Sequence, residues 1–308
     1  MSDFEILNLD KKEPLVSIAM LAYNHEKYIS QAIDSILMQE TNFDYKIIIA
    51  EDYSTDRTRQ IIRKYQEKYP NKFKLILQNS NAGVNQNNLD LLSNLEGKYI
   101  AALEGDDYWT GPLKLQKQVD FLEANPEYGL CCHNVQQLNT FDNSKSTIIP
   151  NLKDDADISL QDYVLSNTTA TCSIMFRADC FFPIKQWFKQ LPFGDLGLIL
   201  TVLKASNQKA HVLKDVMGVY RIHEKGIHGN LHKNNKRLIN AYKQHIQFTK
   251  IIKQELLTEK EYRGVILQKM SNTHNILAKL YKKENLQFQS VKSLLLKKYY
   301  KFVLNNLK

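Results

Sequence analysis

Apolar residues over the first hundred positions fall in short runs divided by polar clusters. Val16 to Tyr23 reads VSIAMLAY, a near-continuous apolar stretch of strand length, which suits a strand covered on both faces of a sheet. In the following HEKYISQAIDSILMQ, residues Ile29, Ala32, Ile33, Ile36 and Leu37 recur at spacings of three and four and predict a helix with one apolar stripe. The alternation continues with a strand at Tyr45 to Ala50 and a helix after Ser54-Thr55-Asp56 that turns Ile61, Ile62 and Tyr65 inward. A strand at Phe73 to Leu77, a helix from Val84 to Leu95 and a strand at Tyr99 to Leu103 complete it. Strand and helix alternating at this spacing predict right-handed crossovers and an α/β fold, a mostly parallel sheet flanked by helices.

In such a sheet the ligand crevice lies outside the carboxyl ends of the strands. The polar clusters fall there: Tyr23-Asn24-His25, Glu51-Asp52-Tyr53-Ser54, Asn79 to Gly83 and Glu104-Gly105-Asp106-Asp107. No G-x-G-x-x-G follows the first strand and no G-x-x-x-x-G-K-[ST] occurs, so the glycine-rich dinucleotide and P-loop phosphate cradles are excluded.

Glu104, Asp106 and Asp107 put three carboxylates within four residues, and a cation that holds them ionised together would be a hard one, Mg²⁺ or Mn²⁺. A solvated acidic turn ahead of the helix starting near Pro112 is the plainer alternative. Ser54 to Asp56 suit a helix cap, which leaves Glu51 and Asp52, directly after an apolar strand, without a capping role.

The segments VSIAMLAYN, IIIAEDYSTDRT, NAG and YIAALEGDDYW, between Val16 and Asp120, resemble the inverting family-two glycosyltransferases of GT-A fold that build bacterial polysaccharides. LPFGDLGLILTVLKASNQ and VYRIHEKG resemble that family's downstream motifs, and together the matches run from Pro14 to His228. The resemblance implies a nucleotide-sugar donor, usually a UDP-sugar, with Tyr23 stacked on the base and Asp52 accepting a hydrogen bond from it. It implies that Asp106 and Asp107 hold ribose and metal, with Glu104 at the family's first acidic position among the donor-binding residues, and that Arg221 and His223 bind diphosphate or metal, His223 as a metal ligand. With Asn24, Glu51, Asn81 and Gly83 on the same strand ends, these make up the expected donor set. Asp195 matches the catalytic base. Glu104 stands where Asp is more usual, and Gln86-Asn87 where a basic residue often lies near the nucleotide.

Asp195 is open to a second reading as the N-cap of LGLILTVLKAS, and a histidine such as His223 is, alone, more often structural than a ligand. Thr168 to Ser173 and Phe181 to Leu191 are the expected acceptor side. The implied chemistry is a single in-line displacement with inversion, Asp195 taking the acceptor hydroxyl's proton. A sugar-phosphate nucleotidylyltransferase is the rival enzyme, although MLAYNHEK lacks its glycine-rich basic loop; a nucleic-acid-binding module is the rival non-enzyme.

Charge changes the picture only at the end of the chain. From Asn230 onward there are 17 Lys and Arg against 4 Asp and Glu, net +13, whereas the preceding 229 residues carry 24 against 29, net −5. Expected domains are therefore a GT-A-like transferase at 14–229 and a basic helical tail at 230–308. Leu238, Tyr242, His245, Thr249 and Ile252 share one helical face of the tail and Phe288, Val291, Leu295, Tyr299 and Phe302 another. Lys297, Lys298 and Lys301 beside the latter favour an anionic membrane surface over nucleic acid, as a lipid-linked or glycan acceptor would require. The start, MSDFEILNLD, reads as neither secretory signal nor transit peptide, and no apolar run nears the ~18 residues of a membrane span, so a cytoplasmic protein peripheral at the inner membrane face is expected. Cys131, Cys132, Cys172 and Cys180 show no C-x-x-C and read as reduced core thiols.

Overall fold

The computed structural model describes residues 3–8, 12–140, 146–224, 226 and 234–307. The chain divides into two compact units. The first comprises Met1–Ile158, Thr168–Lys185 and Thr201–Arg221, and the second Ser159–Asn167, Gln186–Leu200 and Ile222–Lys308. The boundary expected at 229/230 lies outside the described residues.

In chain order the elements are β1 (Phe4–Asn8), β2 (Val16–Ala22), α1 (Ile29–Leu37), β3 (Tyr45–Glu51), α2 (Thr58–Lys68), β4 (Phe73–Gln78), α3 (Val84–Leu92), β5 (Tyr99–Ala102), β6 (Tyr108–Trp109), α4 (Lys114–Ala124), β7 (Leu130–Asn139), β8 (Ser146–Ile149), β9 (Ala156–Ser159), α5 (Leu160–Leu165), β10 (Met175–Arg177), α6 (Gly194–Ala205), β11 (Lys209–Ile222), α7 (Asn235–Glu255), α8 (Arg263–Lys283) and α9 (Gln287–Asn305). One sheet runs β1-β4-β3-β2-β5-β10-β7-β11-β6, with β8 on β7 and β9 on β11. β4, β3, β2 and β5 are parallel, as the alternation predicts. The rest of the sheet makes it mixed: β1 joins β4, β10 joins β5 and β7, and β6 joins β11, all antiparallel. Antiparallel strands need no crossover helix, so this half leaves no strand–helix rhythm in the sequence.

The isoleucine run of β3 shows why the centre is buried on both sides. Successive side chains on a strand point to opposite faces. Ile47 and Ile49 join Ile18, Met20, Ile29, Ile33 and Ile36 in the main core, while Ile48 and Ala50 pack with Ile76 and Leu91 on the other face.

In the second unit, α7 packs on α8 through Ile239, Leu277, Leu280 and Tyr281. α9 lies along α8 through buried serines, Ser290 Oγ donating to the Ala278 carbonyl at 3.0 Å, and through Tyr300 stacked on His274. Small side chains at that seam let the two helices approach closely. The tail face containing Thr249 and Ile252 is buried; the face containing Phe288 to Phe302 points outward.

Candidate active site

The strand ends that carry the polar clusters are level with one another. Ala22 pairs with Glu51, and Glu51 with Leu77. β5 is shorter, yet the chain beyond it continues along β2: Leu103 N–H donates to the Ala19 carbonyl at 3.0 Å and Gly105 N–H to the Leu21 carbonyl at 3.0 Å. That extension carries Asp106 and Asp107 up to the rim where Tyr23 stands, 43% exposed. A Cβ on Gly105 would meet His25 Nδ1 at 2.7 Å and Ile29 Cδ1 at 2.9 Å, so a larger residue here requires those side chains to shift.

The acidic turn is closed from β11. Asp107 N–H donates to the Glu104 carbonyl at 3.1 Å, and Asp107 Oδ1 accepts the backbone N–H of Arg221 at 2.8 Å. The Arg221 guanidinium donates to the Asp106 carbonyl and to Gln31 Oε1, and lies over the rings of Tyr108, at 4.3 Å, and Tyr28, at 5.1 Å. Arg221, the residue expected at the diphosphate, is also bonded to the turn itself. Asp107 is fully buried and no N–H or O–H donor reaches its Oδ2, the Cys172 thiol beside the carboxyl group being a weak donor at most. Burial, and then the neighbouring Asp106, push its carboxyl well above the usual carboxylate range, against the pull of Arg221. Tyr220 stands close enough to feel all three acids; burial and then Glu104, Asp107 and Asp106 raise its phenol. His25 Nε2 lies 3.8 Å from Asp106 Oδ2.

The other rim loops are tied to each other. Asp52 accepts the N–H groups of Ala82, at 2.7 Å, and Gly83, at 3.1 Å, while Asn81 Nδ2 donates to its carbonyl at 3.1 Å. Burial raises the Asp52 carboxyl in spite of those two donors. Gly83 has φ +80°, a conformation that L side chains rarely adopt, and it starts α3. Asn24 N–H donates to Ser54 Oγ at 3.0 Å, and Asn24 Oδ1 accepts from Thr55 N–H at 2.9 Å. Glu51 is buried, paired with Arg59 and accepting from Ser54 N–H at 2.6 Å. Gln86 and Asn87 are tied into the fold: Gln86 bonds Asp90, and Asn87 bonds the Ala50 carbonyl and Gln78.

Two expected site residues belong to the second unit. Asp195 is exposed in the first turn of α6, inside the helix rather than at the position before it. His223 is buried, and a Cβ on Gly226 would sit 3.3 Å from its Nε2.

Glycosyl transferase family 2 is matched over residues 17–181, more than half of the chain. The chain belongs to this family. Among its relatives is Rv1520, an uncharacterized protein of Mycobacterium tuberculosis, 37% identical over 214 residues that cover 69% of this chain and 60% of that protein. The chain therefore spans about 60% of the length of the mycobacterial relatives it matches. Among solved structures, S. aureus TarS in complex with UDP superposes with a TM-score of 0.54 at 17% identity, over 93% of this chain and 91% of that one. The mannosyltransferase PcManGT of Pyrobaculum calidifontis, in complex with GDP-Man and Mn²⁺, gives 0.56 at 15% identity, over 94% and 87%. These likenesses establish the glycosyltransferase fold.

In this family-2 glycosyltransferase the matched span holds β2 to β5, the acidic turn and Cys172, whereas Asp195, Arg221 and His223 lie beyond it. Family membership over this span favours a glycosyltransferase over the nucleotidylyltransferase reading. Among the described residues, no group of three or more His, Cys, Asp or Glu side chains could hold a metal ion. The acidic turn nonetheless fits a divalent cation in its chemistry, with only oxygen donors and the buried Asp107 Oδ2, which no N–H or O–H donor reaches. The sequence assigned no site role to Tyr220, Gln31 or Arg59, and it named Cys172 only as a core thiol and within the expected acceptor side. Only Tyr220 carried a signal, its adjacency to Arg221. Among the described residues the cysteines are free thiols, with Cys131, Cys132 and Cys172 buried.

Proposed function

We propose that this family-2 glycosyltransferase transfers a hexose-type sugar from a UDP-sugar to a hydroxyl of a glycan or lipid-linked acceptor, with inversion, at the inner face of the cell membrane. The observation that carries this reading is the buried Asp107, one oxygen fixed by Arg221 and the other reached by no N–H or O–H donor, beside Asp106 on a rim level with Tyr23. A turn of that kind suits a cation-bound diphosphate. TarS, described with UDP and with UDP-GlcNAc, supports uridine, and PcManGT, described with GDP-Man and Mn²⁺, supports a nucleotide-sugar donor with a divalent cation.

In the reaction, the acceptor oxygen bonds to the anomeric carbon as the bond from that carbon to the diphosphate oxygen breaks. The electron pair leaves with the nucleotide diphosphate and the acceptor's proton passes to Asp195. Mn²⁺ or Mg²⁺, held by Asp106 and Asp107 with His223 as the further ligand expected from the sequence, would supply positive charge opposite the diphosphate. Tyr23 supports the base, and Asp52, with Asn24, Asn81, Gly83 and Glu51, holds the loops around the nucleotide. Arg221 keeps the Asp107 carboxylate aimed at the donor.

The test is calorimetric titration of the full chain with UDP in the presence and absence of Mn²⁺, together with donor turnover over a panel of nucleotide sugars, for wild type and Asp107→Asn. Cation-dependent UDP binding that Asp107→Asn loses supports the reading. Absence of any nucleotide binding by the wild type, or full cation-stimulated turnover by Asp107→Asn, overturns it.

A further inference from the structure

We propose that the outward face of α9 docks on an anionic lipid bilayer. This gives residues to the membrane-side reading above, and its test reads lipid binding alone, so that its failure leaves the donor chemistry standing.

One side of α9 is used by the fold. Ser290 and Ser293 are buried, and Lys297 turns inward to donate to Asn275 Oδ1 at 2.9 Å. The opposite side carries Phe288, Val291, Leu295, Tyr299 and Phe302, which are 77%, 53%, 62%, 59% and 68% exposed. At 100° per residue these five fall within an arc of about 80°, and at 1.5 Å per residue the stripe is about 21 Å long. Scattered apolar residues are ordinary on a protein surface, but a continuous row of this length, three of its members aromatic, marks an interaction face.

Charge decides what covers it. From Gln287 to Asn305 the helix holds four lysines and no aspartate or glutamate. Lys292 and Lys298 lie about 60° to either side of Leu295, flanking the row. In that position a lysine stem can lie along an apolar layer while its ammonium reaches the phosphates above it, and each basic residue near an anionic surface adds attraction. A second copy of the chain fits poorly, because the same face on a partner brings lysine rows against lysine rows with no acid on either helix to separate them. The row also stands on the outside of a single helix, suited to sinking into a soft layer.

The full chain should be sedimented with vesicles of phosphatidylcholine alone and of phosphatidylcholine mixed with phosphatidylglycerol. Two multiple variants accompany it, one with Phe288→Glu, Leu295→Glu and Phe302→Glu, the other with Lys292→Gln and Lys298→Gln. All five positions lie on the outward side, and circular dichroism verifies that the helices remain. The wild type should pellet with the mixed vesicles, the apolar triple variant should partition at least about tenfold less, and the lysine variant should lose most of the preference for phosphatidylglycerol. Equal partitioning of wild type and triple variant overturns the proposal. So does a lipid-free dimer in sedimentation velocity that Leu295→Glu dissolves.

Discussion

Arg221 donates its backbone N–H to Asp107 Oδ1 at 2.8 Å, joining the end of β11 to the acidic turn across 114 positions of sequence. Its guanidinium holds the carbonyl of the neighbouring Asp106. The direction in which the Asp107 carboxylate faces, and the backbone of Asp106 beside it, are therefore held by β11 as well as by their own turn.

Replacing Arg221 with lysine keeps the charge and the backbone bond but removes the planar fork that reaches Asp106 and Gln31 together and stacks between Tyr28 and Tyr108. The Arg221→Lys protein should lose about 1–3 kcal/mol of stability in denaturant titration and bind donor more weakly. Unchanged values for both would remove Arg221 from the positioning role.

Two glycines of the rim should respond differently to alanine. At Gly105 the added Cβ meets His25 and Ile29 at under 3.0 Å, and the Leu21 carbonyl at 3.2 Å. Crowding of that kind costs about 1–3 kcal/mol and should push the acidic turn outward, with activity lost alongside stability. At Gly83 nothing lies within 4 Å, and only the φ of +80° opposes a side chain. Gly83→Ala should cost about 1 kcal/mol and leave Asp106 and Asp107 in place. Thermal unfolding of the two proteins, paired with donor turnover, separates the cases.

Lys114 is fully buried over the Trp109 ring, 3.9 Å from its centroid, with no hydrogen-bond partner for Nζ. Burial brings its ammonium down from 10.5 to about 7. Between those two pH values the unfolded chain binds a proton that the folded chain does not, so this group makes stability rise with pH across that window. At pH 7 and below the buried charge is a cost. Lys114→Met should therefore stabilise the protein near neutral pH, by on the order of 2–4 kcal/mol, and flatten the dependence between pH 7 and 10. Denaturant midpoints across that range give the answer; a variant less stable than wild type at pH 7 would mean that the ammonium is satisfied by something other than Trp109.

For Asp195, assigned above as the base, the isosteric amide is the informative change. Asp195 is exposed in the first turn of α6, where a carboxylate gains only a modest interaction with the helix dipole. Asp195→Asn should fold and bind donor as the wild type does, while transfer falls by about 10² to 10⁴ for want of a proton acceptor. Turnover within a few-fold of wild type, in a protein that still binds UDP, would assign the residue to the helix alone.

Local patterns announced the parallel half of the fold. Ile29, Ala32, Ile33 and Ile36 are all buried on α1, as their spacing demands, and Ile47 to Ile49 are buried because helices cover both faces of β3. In the antiparallel half β6 is two residues long and β10 three, too short to show a period. The acidic turn was legible from composition alone; its closure was not. No local feature of Arg221 or Tyr220 says that β11 returns to meet Asp107. For Phe288 to Phe302 periodicity marked one face and the neighbouring lysines pointed it outward, which the exposures bear out, although Lys297 itself turns inward to Asn275.

The loops of the rim are stitched by named bonds, Asn24 to Ser54 and Thr55, and Asp52 to Ala82 and Gly83. A change at any of these positions is felt by two loops at once, which narrows where the donor preference of such an enzyme can be retuned. Tyr23 and Tyr53 are the aromatic positions of this rim that project into solvent. Libraries built to accept a different nucleotide have their freedom at those two tyrosines, while the stitching residues act as a chassis that selection for a new donor would leave alone.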